Sequence, residues 1–439
     1  MSALARWSYY AAQALRGERI RPTLAALEAS QRWPLERLLD LQWQRQLALT
    51  RHAFETVPLY RERWSAAGFT PDALRTRDDW EKLPALGKED LRERAGRLLS
   101  SRAPAGLKAT TSGSSGTPIA VLRSHASWTH AHANVIRGWH WHGLEVGDPY
   151  AYFWGLALDP SGRRQAAARD WFFHRRRLSA FDVTPERARE FHARMVRWRP
   201  RFGFGYPSAV TSFADEVEAQ KLDGRAVGFR AIVTTAEVLR AEQRERLARI
   251  FGARVVDSYG CAEAGVAGFE CESGSMHVPV ESVVVDLVPA PDGRHEVLLT
   301  DLFNWSAPVI RYRVGDLVGP APGGCACGRA LPLLGPIEGR AGDFITLPGG
   351  RVISGLLPYY IFRPHAKGGA IREYQFAELE NGAIELRVLP GERWDDGARA
   401  TIEREVTAGL GLPVTLRVVE RIERSARGKY RDWIPRVRP

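Results

Sequence analysis

Cysteine is scarce in this chain, with four in 439 residues. That is too few for a disulfide-stapled scaffold of this size, and the simplest setting for such usage is a reducing cytoplasm. Long apolar runs are missing as well. No uncharged apolar stretch reaches the roughly 18 residues of a membrane-spanning helix, and Arg6, Arg16, Glu18 and Arg19 break up the first residues, so no signal peptide is expected. Acidic side chains are outnumbered, 51 against 62 Lys and Arg, for a formal net charge of +11. Such a balance suits anionic partners, from phosphorylated small molecules to nucleic acid. The basic residues are nevertheless scattered, apart from Arg421, Arg424, Arg427, Lys429 and Arg431. No zinc-finger spacing or aromatic RNA-binding signature accompanies them, so nucleic acid is not an expected partner. Internal repeats and low-complexity segments are absent. What is present is ordinary globular material, 44% hydrophobic and 26% charged, long enough for two or three domains. The 14 tryptophans are read chiefly as core packing, with pocket lining as the alternative.

The most informative stretch runs from Thr110 to Pro118. It holds five hydroxyl residues (Thr110, Thr111, Ser112, Ser114, Ser115) before the Thr117-Pro118 exit, with Gly113 and Gly116 between. Glycines let backbone N–H groups approach phosphate oxygens, and hydroxyls add donors that rotate to suit the ligand. A flexible linker is the alternative. The loop is short, however, and runs directly into Ile119-Ala120-Val121-Leu122, which reads as a strand. A Walker loop would end in Gly-Lys-Ser/Thr. Here Gly116-Thr117-Pro118 stands in that place, so phosphate charge and any magnesium must be met by residues elsewhere.

Residues 1–100 read as helical, with Leu35, Leu39, Trp43, Leu47 and Phe54 on one apolar stripe. From Ile119 to Gly260 short strands alternate with helices: Pro149–Trp154 and Arg230–Val233 look like buried strands, and Arg254–Val256 precedes a tight turn at Asp257–Gly260. That alternation predicts an α/β arrangement with ligands at strand ends. Residues 277–319 read as β, with strands at Val278–Leu287 and Glu296–Thr300 about Pro291-Asp292-Gly293. After Arg340 a small α+β domain is expected. It has alternating strands at Tyr374/Phe376 and Ile384/Leu386/Val388, a helix through Ala398, Ile402, Val406 and Leu410, and a last strand at Val414–Val419. The domains are thus 1–340 and 341–439.

Four further motifs follow in order: Thr234-Thr235-Ala236-Glu237, Ser258-Tyr259-Gly260-Cys261-Ala262-Glu263, Tyr312-Arg313-Val314-Gly315-Asp316, and Gly339-Arg340-Ala341-Gly342-Asp343. Singly each is weak, since a lone carboxylate is usually solvated or a cap. Together, with Val57-Pro58-Leu59-Tyr60-Arg61 and Gly205-Tyr206-Pro207-Ser208, the chain resembles the adenylate-forming superfamily, within it the phenylacetate–CoA ligase-like and CapK-type branch.

The resemblance implies a large N-terminal adenylating domain and a small mobile C-terminal cap. A carboxylate would attack the α-phosphate of ATP, and a thiol, expected to be coenzyme A, would then displace AMP. In the CapK-type alternative the acceptor is an amine or alcohol. It further implies that Thr111, Ser112, Gly113, Ser114, Ser115 and Gly116 hold phosphates, and that Ala236, Glu237, Ser258, Tyr259 and Gly260 border the nucleotide. Glu263 would ligate Mg²⁺, Asp316 would accept the ribose hydroxyls, Arg340 would bind nucleotide oxygens, and Lys429 would bridge the attacking carboxylate and the α-phosphate. The acid is expected to be small and aromatic, near Trp154, Tyr206, Tyr259 and Gly260. The hinge is expected near Gly342, where relatives have Asp or Lys, and Ile119 stands where many superfamily loops have lysine. A homodimer is allowed for, and a non-catalytic basic binding protein is the remote rival.

The cysteines form a separate set. Cys271 and His277, then Cys325 and Cys327, supply three sulfurs and one imidazole, enough for tetrahedral structural zinc. Free buried thiols are the alternative. Cys261 reads as a small packing residue.

Overall fold

The computed structural model describes all residues except 1, 105, 111–119, 156–159, 181–182, 291–292, 341–343, 347–351, 355–361, 363–364, 366–367, 380, 382, 425–429, 431–432 and 435–439. It divides into two compact units, Met1–Ile337 and Glu338–Pro439.

The first unit opens with the helices Ser2–Leu15, Ile20–Ser30, Leu35–Thr56 and Pro58–Ala66. The third is rotated from the orientation its apolar spacing predicts. Leu38, Gln42, Gln46, Leu49 and Ala53 are its buried face, Leu35 is exposed, and Trp43, Leu47 and Phe54 only flank the core. The reason is a satisfied amide: Gln42 Nε2 donates to the Val283 carbonyl at 2.8 Å. A buried glutamine with its hydrogen bond met is tolerated inside, and a count of apolar residues alone passes over it.

β1 (Gly106–Thr110) and β2 (Ala120–Ser124) pair antiparallel from Gly106↔Ser124 to Thr110↔Ala120. The main sheet then takes β3 (Tyr150–Trp154), β4 (Arg175–Ser179), β5 (Phe202–Gly205), β6 (Ala231–Thr235), β7 (Arg254–Cys261), β8 (Gly265–Glu270) and β9 (Met276–His277). Beyond it lie β10 (Val283–Pro289), β11 (His295–Asp301), β12 (Tyr312–Val318) and β13 (Leu333–Leu334). Among the described residues the main sheet has the order β13-β9-β8-β7-β6-β5-β3-β4. The strands from β4 to β7 run parallel, and β8, β9 and β13 continue antiparallel. Helices Pro185–Trp198, Pro207–Ala219 and Ala241–Phe251 link the parallel strands, as such crossovers require. The alternation of side chains sorts the core by face: Ala151 and Phe153 join Phe191, Phe213 and Leu247 on one side, while Tyr150 and Tyr152 join Phe202, Val233 and Phe269 on the other.

Two boundaries differ from expectation. β7 continues through Asp257–Gly260 instead of turning, because Ser258 and Tyr259 pair with Phe269 and Gly268 of β8; the departure from regularity there is a bulge between Tyr259 and Gly260. The strand expected from Val278 begins only at Val283. Pro279 has no N–H for a ladder, and its carbonyl instead accepts from the Ser282 and Val283 N–H groups in a turn. β10, β11 and β12 are an antiparallel run in a second sheet.

In the second unit Ile371–Glu378 and Ile384–Pro390 pair antiparallel, with Phe376 opposite Leu386. Val414–Val418 adds to Ile384–Pro390 in parallel. Helix Asp396–Leu410 buries Ile402, Val406 and Leu410 in the same cluster as Phe376, Leu386 and Val388.

Gly205 tests the packing of the parallel stack. A Cβ there would lie 2.1 Å from the Phe153 carbonyl oxygen on the neighbouring strand. Gly205→Ala should therefore destabilise the protein by about 1–3 kcal/mol, read as a lower denaturant midpoint.

Candidate nucleotide and metal sites

Ligands of parallel α/β sheets gather past the carboxyl ends of the strands. β6 ends there at Thr235, and Ala236 follows in the left-handed region, at φ +69. An alanine held in that conformation carries strain of the kind kept at functional turns. Glu237 Oε2 then accepts from the Ser208 N–H at 3.1 Å, at the start of helix Pro207–Ala219. Anionic oxygen at a helix N-terminus is stabilised by the unpaired N–H groups and the dipole, so two separate motifs, 205–208 and 234–237, meet through one bond.

β7 and β12 exchange tyrosines. Tyr259, on β7, donates its hydroxyl to Asp316 Oδ2 on β12 at 2.9 Å. Tyr312, on β12, donates to Glu263 Oε1 in the turn after β7 at 3.1 Å. All four side chains are buried. The crossing brings both expected carboxylates into one neighbourhood, and Cys261 registers both: burial, and then the charge of Glu263 and of Asp316 among other neighbours, push its thiol far above the ordinary range. Cys261 is thus held protonated, which fits packing rather than nucleophilic chemistry. Gly260 is required by close approach, since a Cβ would lie 2.3 Å from the Gly265 carbonyl oxygen. Glu263 Oε2 takes no hydrogen bond among the described residues, so this hard oxygen donor fits a magnesium ion. Beside the strand ends, the Trp154 and Tyr206 rings lie 4.1 Å apart, centroid to centroid, and Trp154 stacks on Phe204 and Tyr152.

Residues 76–294 match the AMP-binding enzyme family. A phenylacetate–coenzyme A ligase of Escherichia coli K12 is 30% identical over 351 residues, 72% of this chain and 74% of that one. The chain belongs to the AMP-binding, adenylate-forming enzymes. A phenylacetate–coenzyme A ligase of Thermus thermophilus is 25% identical over 446 residues, covering 91% of this chain and 96% of its own. Among solved structures, 2-hydroxyisobutyryl-CoA ligase in its postadenylation state superposes with TM-score 0.73 at 22% identity, over 93% of this chain and 91% of that one. That likeness carries the fold.

Of the residues expected at the nucleotide site of this AMP-binding enzyme, the structure places Ala236, Glu237, Ser258, Tyr259, Gly260, Glu263 and Asp316 on or just past β6, β7 and β12. Ser258 Oγ donates to the Thr234 carbonyl at 3.2 Å. Thr111, Ser112, Gly113, Ser114, Ser115, Gly116, Gly342 and Lys429 lie outside the described residues, as does the side chain of Arg340. Sequence reasoning missed one partner: Tyr312 opens a recognised motif but drew no role.

The Cys/His set converges. The ligand atoms of Cys271, His277, Cys325 and Cys327 all lie within 4.8 Å of one another. The His277 imidazole is oriented by its Nδ1, which lies 2.9 Å from the Leu331 carbonyl and donates to it; Nε2 faces Cys327 Sγ at 3.2 Å, and Cys271 Sγ lies 3.5 Å from Cys325 Sγ. A ring whose Nδ1 proton is engaged presents the Nε2 lone pair to a metal. Three sulfurs and that nitrogen fit a closed tetrahedral cation site.

Asp257 lies on β7, opposite Thr234 of β6. Its Oδ1 accepts from Thr234 Oγ1 at 2.8 Å, and its N–H donates to Glu270, which Arg244 clamps through both Nη atoms. Burial and the adjacent Glu270 raise its pKa from the usual 3.8 to about 7. The folded-state pKa exceeds the unfolded one, so this group's contribution to stability is complete below about pH 4 and is lost as the pH rises toward 7. Between pH 5 and 7 it should lower stability with a slope of up to about 1.4 kcal/mol per pH unit. Asp257→Asn should flatten that slope in denaturant melts taken across the range.

Proposed function

We propose that this chain activates a small aromatic carboxylic acid with ATP and passes the acyl group to coenzyme A. The acid's carboxylate oxygen bonds to the α-phosphorus as the bond to pyrophosphate breaks; the thiolate sulfur of coenzyme A then bonds to the acyl carbon as AMP departs. The observation that supports this reading is the reciprocal pair of tyrosine–carboxylate bonds, which joins Asp316 of β12 to the end of β7, where Glu263 follows the last parallel strand.

Asp316 has two oxygens for the two ribose hydroxyls, and Tyr259 fixes the plane of that carboxylate. The strained turn at Ala236 and the backbone of Ser258–Gly260 border the base. Glu263 would hold magnesium, which when bound neutralises phosphate charge during displacement. The roles of Thr111–Gly116, Arg340 and Lys429 rest on the resemblance. Aromatic acids are suggested by the cluster of Trp154 and Tyr206 rings beside the strand ends, and the phenylacetate ligases among the relatives point the same way.

Carboxylate-dependent ATP–pyrophosphate exchange over aryl, arylacetic, fatty and amino acids tests the reading, followed by thioester formation with coenzyme A. Exchange should be fastest with an aryl or arylacetic acid, and no exchange with any acid would end the proposal. Asp316→Ala should weaken AMP binding at least tenfold, because hydrogen bonds to a charged acceptor contribute about 1.5–3 kcal/mol. Unchanged AMP affinity in the folded variant would remove the ribose assignment.

Structural zinc is proposed for Cys271, His277, Cys325 and Cys327, on the convergence of their ligand atoms. Elemental analysis should find about one zinc per chain, and Cys325→Ser should lose both the metal and several degrees of thermal midpoint. Protein made with ample zinc yet containing none would show the cluster to be plain thiols.

A further inference from the structure

Glu263 sits in the short turn between β7 and β8, and a cation ligand must be held still to be effective. Arg123, on β2, lies beneath that turn and is 2% exposed. Its Nε donates to Ser127 Oγ at 2.8 Å, Nη2 to Asp301 Oδ2 at 3.2 Å and to the Ser127 carbonyl at 3.4 Å, and Nη1 to the Ala262 carbonyl at 3.4 Å. Ser127 Oγ donates to the same Asp301 oxygen. The buried guanidinium is therefore paired and hydrogen-bonded, and one of its bonds grips the residue immediately before Glu263. Gly265 closes the turn at φ +86, where a Cβ would lie 2.9 Å from Arg123 Nη2 and 3.2 Å from the Ala131 Cβ. Only a glycine lets the turn settle onto the guanidinium in that conformation. From the opposite side, the Tyr312 hydroxyl engages Glu263 Oε1.

We propose that Arg123 and Tyr312 are positioning residues that hold Glu263 for the nucleotide's divalent cation, Arg123 fixing the main chain of the turn and Tyr312 fixing the carboxylate so that Oε2 is the oxygen offered. The inference rests on the proposed cation role of Glu263. A carboxylate with one oxygen pinned can no longer spin about its terminal bond, so the direction of the other is set before the metal arrives.

The test is Mn²⁺ binding to the protein's complex with a non-hydrolysable ATP analogue, read by electron paramagnetic resonance, with metal-free AMP affinity and the thermal midpoint as controls. Tyr312→Phe removes a single oxygen. It should raise the Mn²⁺ Kd about tenfold, the usual effect of losing a partner that orients a metal ligand, while AMP affinity stays put. Arg123→Lys keeps a charge for Asp301 but loses the fork that reaches Ala262, and should shift Mn²⁺ affinity in the same direction. Glu263→Gln should weaken Mn²⁺ binding at least as much, and adding Tyr312→Phe to it should cost nothing further. If Glu263→Gln weakens the metal but Tyr312→Phe does not, the positioning role is overturned while the cation role stands. If Glu263→Gln leaves Mn²⁺ affinity unchanged, the cation role itself falls and this inference with it. Tyr312→Phe decides alone should Arg123→Lys fail to accumulate as folded protein.

Discussion

β7 belongs to two kinds of sheet at once, and much of the first unit depends on that double membership. Through Thr234↔Asp257 and Thr235↔Ser258 it closes the parallel stack, and through Ser258↔Phe269 and Tyr259↔Gly268 it turns the sheet antiparallel. The change of direction occurs over residues that also carry the nucleotide motif. It is possible only because two glycine backbones nearly touch: the space a Cβ on Gly260 would occupy is filled by the Gly265 carbonyl. The bulge at Tyr259/Gly260 re-aims the strand, as bulges near functional sites do. Without that approach the turn bearing Glu263 would not fold back beside the strand bearing Tyr259.

The polar groups around this junction are buried and paired, and their pairing is as selective as the packing. Arg123 with Asp301 and Ser127 places charge where water is excluded, and buried Asp257 bonds Thr234 beside Glu270, which Arg244 holds from a more open position. Such groups are costly unless every partner is in place. They therefore define one arrangement of β2, β7, β8, β11 and the turn they surround. The reciprocal tyrosines add the same selectivity between β7 and β12, since each hydroxyl meets a carboxylate that its own strand does not carry.

Much of this was legible in order but not in contact. The strand at Ala231–Thr235 and the strands of the second unit follow from uninterrupted or alternating apolar residues, and the motifs at Ala236–Glu237 and Tyr259–Glu263 sit at strand ends as the α/β pattern implies, whereas Asp316 lies within β12 of the antiparallel sheet. The turn expected at Asp257–Gly260 failed because polar and glycine residues usually punctuate a chain, whereas here β8 captures Ser258, Tyr259 and Gly260 through Phe269, Gly268 and Val266. The helix Leu35–Thr56 was rotated in expectation because an apolar stripe takes no account of Gln42, whose amide is met by the Val283 carbonyl far along the chain.

What the sequence by itself determined is the local and the covalent: most of the segments that become strands and helices, the order of the motifs, and a metal-capable set of three cysteines and a histidine. These follow from periodicity and residue chemistry, which act over a few neighbours. Only the tertiary structure decided that Tyr312 serves Glu263 while Tyr259 serves Asp316, that Arg123 grips Ala262 from 139 residues away, and that Cys271 and His277 meet Cys325 and Cys327 within 4.8 Å. Those pairings depend on strand register, and register is set by side chains and backbone groups that come together only when distant segments pack.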